Sequence, residues 1–186
     1  MNRTRTTVTL ATSVVAAAGL AVGGATAATA APATSAHGLN AADQAFMKAN
    51  EQTNLAEMAL GKIALKRATG PNARALAHRT IADHVKAQAK LKQVAKQDGV
   101  TLPTKPDATQ LAAAQKLSKV NPHVALNYFT IQVAGHKLSV HQTKSELKKG
   151  SKPNVLAYAK YYLPVAEMHN HMAKADLAQL KSELNG

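Results

Sequence analysis

The sequence predicts an all-α fold, with four long helices in an up-down-up-down bundle and a short extra helix in the connection between the second and third. Three observations carry this. Hydrophobic residues make up 46% of the chain but aromatics only 3%, and alanine dominates. That composition suits closely packed helices, whereas sheets favour Val, Ile, Thr and aromatics. Apolar residues recur at steps of three and four over long stretches, the period of a helix. The few glycines and prolines, 10 and 7, fall mainly at the points that separate those stretches. The 186 residues suffice for a single domain with a real core, placed at residues 40–184. No cysteine is present, which excludes disulfides, thiolate metal sites and cysteine nucleophiles.

Helix one is expected from Asn40 to Thr69, stopped by Gly70-Pro71, and helix two from Asn72 to Asp98, stopped by Gly99. Two prolines make Val100–Pro106 an extended linker. Asp107 then caps a short alanine-rich helix to about Val120. Asn121-Pro122 opens helix three, a good cap with proline at the first helical position, and Gly150 ends it. Helix four runs from Pro153 to Leu184, with a kink expected at Pro164.

Ahead of these helices, Arg3 and Arg5 precede an uncharged apolar run from Val8 to Val22 and then small residues. This order reads as a secretory signal peptide occupying residues 1–36, with cleavage after Ala30 or Ala36. A retained membrane anchor fits less well, because the run is rich in alanine and glycine. The expected location is therefore secreted or cell-envelope. Removing this segment takes away two arginines and no acid, lowering the net charge from +13 to +11. Lysines concentrate in two stretches, Lys86 to Lys96 and Lys144 to Lys152. Such a surface keeps an alanine-rich bundle soluble and favours polyanions. For an exported chain the expected partners are anionic envelope polymers rather than nucleic acid.

The inward faces follow from spacing. Phe46, Asn50, Thr53, Glu57, Leu60 and Ala64 share one line on helix one; Ala77, Ile81, His84, Gln88, Leu91 and Ala95 share one on helix two. Helix three presents Leu126, Phe129, Val133, His136, Val140, Thr143 and Leu147, and helix four presents Leu156, Ala159, Leu163, Ala166, His169 and Ala173. Each inner line thus holds one good metal ligand: Glu57, His84, His136 or His169. Glu57 lies 13 residues before Gly70 and His84 13 after Pro71, while His136 lies 14 before Gly150 and His169 16 after Pro153. At ~1.5 Å per residue, all four sit about 20–24 Å from the same end of the bundle. His78, His141 and His171 fall off these lines.

At these residues the chain resembles a known family. LAEMALGKIAL (Leu55 to Leu65), IADHVKAQAKLK (Ile81 to Lys92), the LPTKP linker, VAGHKLSV (Val133 to Val140) and YYLPVAEMHNHM (Tyr161 to Met172) are similar, in this order, to the bacterial exported family known as domain of unknown function 4142. The similarity covers residues 42–180. It implies export and a ferritin-like four-helix bundle, with polar positions at Glu57, Asp83, His84, His136 and His169, and it assigns no activity. Where members often carry acidic residues after the third-helix histidine, this chain has Lys144, with Glu146 nearby.

One carboxylate and three imidazoles suit a transition metal such as Zn, Cu, Fe or Mn. Asp83 points about 100° away from His84 and is a fifth ligand or an orienting partner. Ferritin-type di-iron chemistry fits poorly, since it needs Glu-x-x-His pairs and Glu167 is followed by Asn170. The alternative is a non-catalytic structural or envelope-associated module, in which the four side chains satisfy one another in a buried polar network and the basic surface carries the function. The sequence holds no Gly-rich phosphate loop, G-x-S-x-G elbow or HExxH motif.

Overall fold

The computed structural model describes residues 38–68, 70–119 and 123–186. The expected signal peptide, both cleavage sites and the Asn121-Pro122 cap lie outside the described residues.

Helix α1 spans Ala41–Arg67 and begins at a capping box, where the Asn40 side chain accepts from Asp43 N–H and the Asp43 carboxylate accepts from Asn40 N–H. Helix α2, Pro71–Gln97, carries proline in its first turn, where no backbone donor is needed. It ends at Asp98 and Gly99, the latter at φ 66°, a left-handed conformation that favours glycine. A second capping box, Asp107 with Gln110, starts α3, Ala108–Ser118. Helix α4 spans Val124–Lys149, and α5 spans Pro153–Asn185 and continues through the exposed Pro164. Among the described residues there is no strand.

Each long helix packs on two others: α1 on α2 and α4, and α5 on α4 and α2, while α3 rests mainly on α1. Burial is ordered along the helices. One apolar cluster includes Phe46 and Met47 of α1, Leu91 of α2, and Val155, Tyr158 and Tyr162 of α5. A second includes Leu60 of α1, Leu76 and Ala77 of α2, Tyr128 and Phe129 of α4, and Leu117 of α3. Apart from Asp43 at the start of α1, the buried polar residues of α1, α2 and α5 fall between the two: Asn50 to Glu57, Thr80 and His84, and His169. The polar belt continues on α4 as Gln132, His136 and Ser139.

Asp43 ties two helix beginnings together. Besides its part in the α1 cap, its carboxylate accepts from Ser151 N–H (3.0 Å), Ser151 Oγ–H (2.8 Å) and Lys152 N–H (3.1 Å), just before α5. These donors hold its pKa down against the upward pull of its burial.

The inner line expected on helix one is buried in full. That of α4 differs. Leu126, Val133, Val140 and Leu147 are only half-buried, whereas Phe129, His136 and Thr143 of that line are buried, joined by Tyr128, Gln132, Ser139 and Glu146. The polar members are tolerated because they find partners inside. Gln132 donates to Glu57, and Ser139 shares a 3.0 Å hydrogen bond with Tyr162.

A candidate metal centre of three histidines

His84 on α2, His136 on α4 and His169 on α5 are each fully buried, and one ring nitrogen from each lies within 4.8 Å of the other two. His136 Nε2 is 3.4 Å from His84 Nε2 and 3.2 Å from His169 Nδ1. His78, His123, His141 and His171 are exposed.

The outward nitrogens fix the tautomers. His84 Nδ1 is 2.9 Å from Asn54 Oδ1. Asn54 is oriented by donating its own amide to Asn50 Oδ1, which also accepts from Tyr158 OH. His136 Nδ1 is 3.0 Å from the Gln132 carbonyl, one turn back on the same helix. His169 Nε2 is 3.2 Å from Asp83 Oδ2. All three partners are acceptors, so these nitrogens carry the hydrogens and donate. With each ring neutral, the inward nitrogens are left as lone pairs that face one another. Two imidazole nitrogens held at ~2.05 Å by a tetrahedral ion stand about 3.3 Å apart. Two of the three separations, 3.2 and 3.4 Å, match that edge, and all three nitrogens lie within 4.8 Å of one another.

Electrostatics favour keeping the His84 and His169 rings neutral. Desolvation, and then the neighbouring His136 and His169, hold His84 well below the ordinary histidine range. Desolvation and His136 bring His169 down to about 4, against the opposing pull of Asp83. Burial raises Asp83, but the Arg79 guanidinium and His169 outweigh it and leave the carboxyl below its usual value. Arg79 donates to Asp83 Oδ2, the oxygen that also meets His169.

Of the five residues singled out by the sequence, the structure brings three together and sets Asp83 behind one of them. Glu57 is 3% exposed, its Oε2 accepts from Gln132 Nε2, and it is not one of the three residues whose donor atoms group together. Its burial raises its pKa, and His136 and Gln132 offset this in part. Two supporting residues escape sequence reasoning. Asn54 is one turn before Glu57 and holds His84; the Gln132 carbonyl holds His136. The i, i+4 spacing of Gln132 and His136 was the available signal for the second pair.

Fold and site together define an all-α protein with a buried histidine triad backed by hydrogen-bond acceptors. The chain belongs to the family described as domain of unknown function (DUF4142), which matches residues 28–175. No curated protein matches it. In fold it is similar to the crystal structure of a DUF305 fragment from Deinococcus radiodurans, with a TM-score of 0.67 and 14% identity, over 76% of this chain and 98% of that one. Among the described residues no helix is long and apolar enough to cross a membrane.

Proposed function

We propose that this chain is an exported, single-domain, ferritin-like up-down-up-down bundle that binds one transition-metal ion through His84 Nε2, His136 Nε2 and His169 Nδ1. One observation carries the metal reading: three imidazole lone pairs converge, while each ring's opposite N–H is held by an oxygen acceptor. Metal-ligating histidines are ordinarily oriented in this way. Three protein donors leave a fourth position for water or a small ligand, and imidazole nitrogens suit Zn, Cu and Fe. Mn, which prefers oxygen donors, fits less well because Glu57 is not one of the three grouped residues. Asp83 serves as the orienting partner of His169. The bundle topology is supported by the short α1–α2 and α4–α5 connections and by the order in which each helix meets the two apolar clusters. Export rests on the charged, apolar and small-residue order of residues 1–36.

The test is elemental analysis of the purified protein beside a His84→Ala/His136→Ala variant, each also titrated with Zn(II), Cu(II), Fe(II) and Mn(II). About one ion per chain in the wild type, and none in the variant, is the expected result. Equal metal content in the two, or none in either after titration, overturns the reading.

A second reading is supported by the exposure of Lys86, Lys90, Lys92, Lys96, Lys144, Lys148 and Lys149. Under it the belt is structural and the lysines bind an anionic envelope polymer. Salt-sensitive binding to such a polymer, unchanged in the double variant, would favour it.

A further inference from the structure

A cavity of about 330 Å³ opens between α1, α3 and α4. Its walls are largely apolar and include Ala56, Leu60, Ile131 and Leu138, the last 56% exposed at the surface. Two carboxyl groups belong to its lining, Glu57 and Asp107, and no lysine, arginine or histidine does. In a chain with 23 lysines and arginines against 10 acids, this is a local reversal of charge.

Glu57 is the informative wall. Its side chain is nearly fully buried, and its hydrogen-bond partner at Oε2 is the neutral amide of Gln132. Oε1 accepts no hydrogen bond from the described residues and lies against Gly135, where a Cβ would stand only 3.1 Å away. The absence of a side chain at Gly135 therefore keeps the approach to that oxygen open. A buried carboxylate with one neutral donor is poorly compensated, and a cation seated at Oε1 would stabilise its ionised form. Across the cavity, Asp107 is fixed at the start of α3 by its capping box, and Gln110 of the same turn reaches Thr53 of α1 at 3.5 Å. The short helix thus closes over the cavity as one wall.

We propose that this cavity is a binding site for a small organic ammonium ion, whose apolar chain lies against Leu60, Ile131 and Leu138 and whose charged head donates to Glu57 Oε1. The site is separate from the histidine cluster and does not depend on a metal. An alcohol of the same shape would fill the apolar walls but leave the carboxylate without a counter-charge, and a carboxylate ligand would be repelled.

Calorimetric titration of the purified protein with hexylammonium, 1-hexanol and hexanoate tests it. Hexylammonium should bind one per chain and more tightly than hexanol, and hexanoate should not bind. Glu57→Gln should weaken hexylammonium about tenfold or more, the usual cost of losing a charged hydrogen-bond partner. Ala113→Met, on the outer helix α3, should block the cavity without touching Glu57, and serves if the buried substitution impairs folding. No binding of the ammonium ion, equal binding of the alcohol, or wild-type binding by either folded variant overturns the proposal.

Discussion

Asp83 of α2 meets His169 of α5 at 3.2 Å, and that hydrogen bond decides which nitrogen of the His169 ring turns inward. Because the carboxylate can only accept, Nε2 must donate, and Nδ1 is left as the lone pair beside His136. An amide in place of the carboxylate is a weaker acceptor and can present its NH₂ group instead. Asp83→Asn is therefore expected to lower metal affinity by about 10–100-fold without loss of helix content. Calorimetric titration with Zn(II), alongside circular dichroism, checks both halves. Unchanged affinity would remove Asp83 from the site.

The metal-free protein should lose stability in acid. His84 is held well below the ordinary histidine value and His169 at about 4, first by desolvation. Both titrate near 6.5 in the unfolded chain, so between about pH 6.5 and 4 the unfolded state takes up protons that the folded state refuses. Stability present above that window is lost as the pH falls through it, with a slope of up to about 1.4 kcal/mol per pH unit for each histidine. Urea unfolding at pH 7, 5.5 and 4.5 measures this, and His169→Gln should flatten the profile. A flat wild-type profile would contradict neutral burial of the rings.

Glu146 should act in the opposite direction. It is 2% exposed, and neither of its carboxylate oxygens has a donor when ionised. Desolvation, together with its hydrogen bond to and the charge of Asp43, pushes its pKa up to about 7. A raised folded value gives stability that is complete below about pH 4.5 and is lost as the pH rises through 7. Glu146→Gln can donate to Asp43 at any pH, and is expected to gain on the order of 2 kcal/mol over wild type at pH 8. The gain should vanish at pH 4.5.

Asp43→Ala removes acceptors from the beginnings of both α1 and α5. A loss of about 2–4 kcal/mol is expected, more than a single helix cap provides, because donors from two segments lose their partner together. Chemical denaturation supplies the number. A loss no larger than that of Asn40→Ala would mean that the link to Ser151 and Lys152 contributes little.

The helix ends were legible because they are written in local chemistry: Gly70-Pro71, Gly99, the Asp107 cap and Gly150 each act on their own backbone. The levels of the three histidines were legible too, since residues counted from a turn convert directly into height. Direction around the helix was harder. On α4 the apolar line through Val133 and Val140 competed with the polar line through Gln132 and Ser139, and the polar line is the buried one. Nothing along α4 alone announces that Glu57 and Tyr162 wait on other helices to satisfy it. For the same reason the spacing along α1 gives the level of Glu57 but not that Gln132 of α4 donates to its carboxylate.

The belt of polar residues between two apolar clusters also acts as a ruler. Sliding one long helix by a single turn, about 5.4 Å, would carry its imidazole or carboxyl into a cluster of Leu, Phe and Tyr and bring apolar atoms into the belt. Several hydrogen bonds would break at once, with no water to replace them. Alanine-rich helices offer few bulky side chains to oppose such sliding, so in this protein the buried polar groups define where each helix must stop.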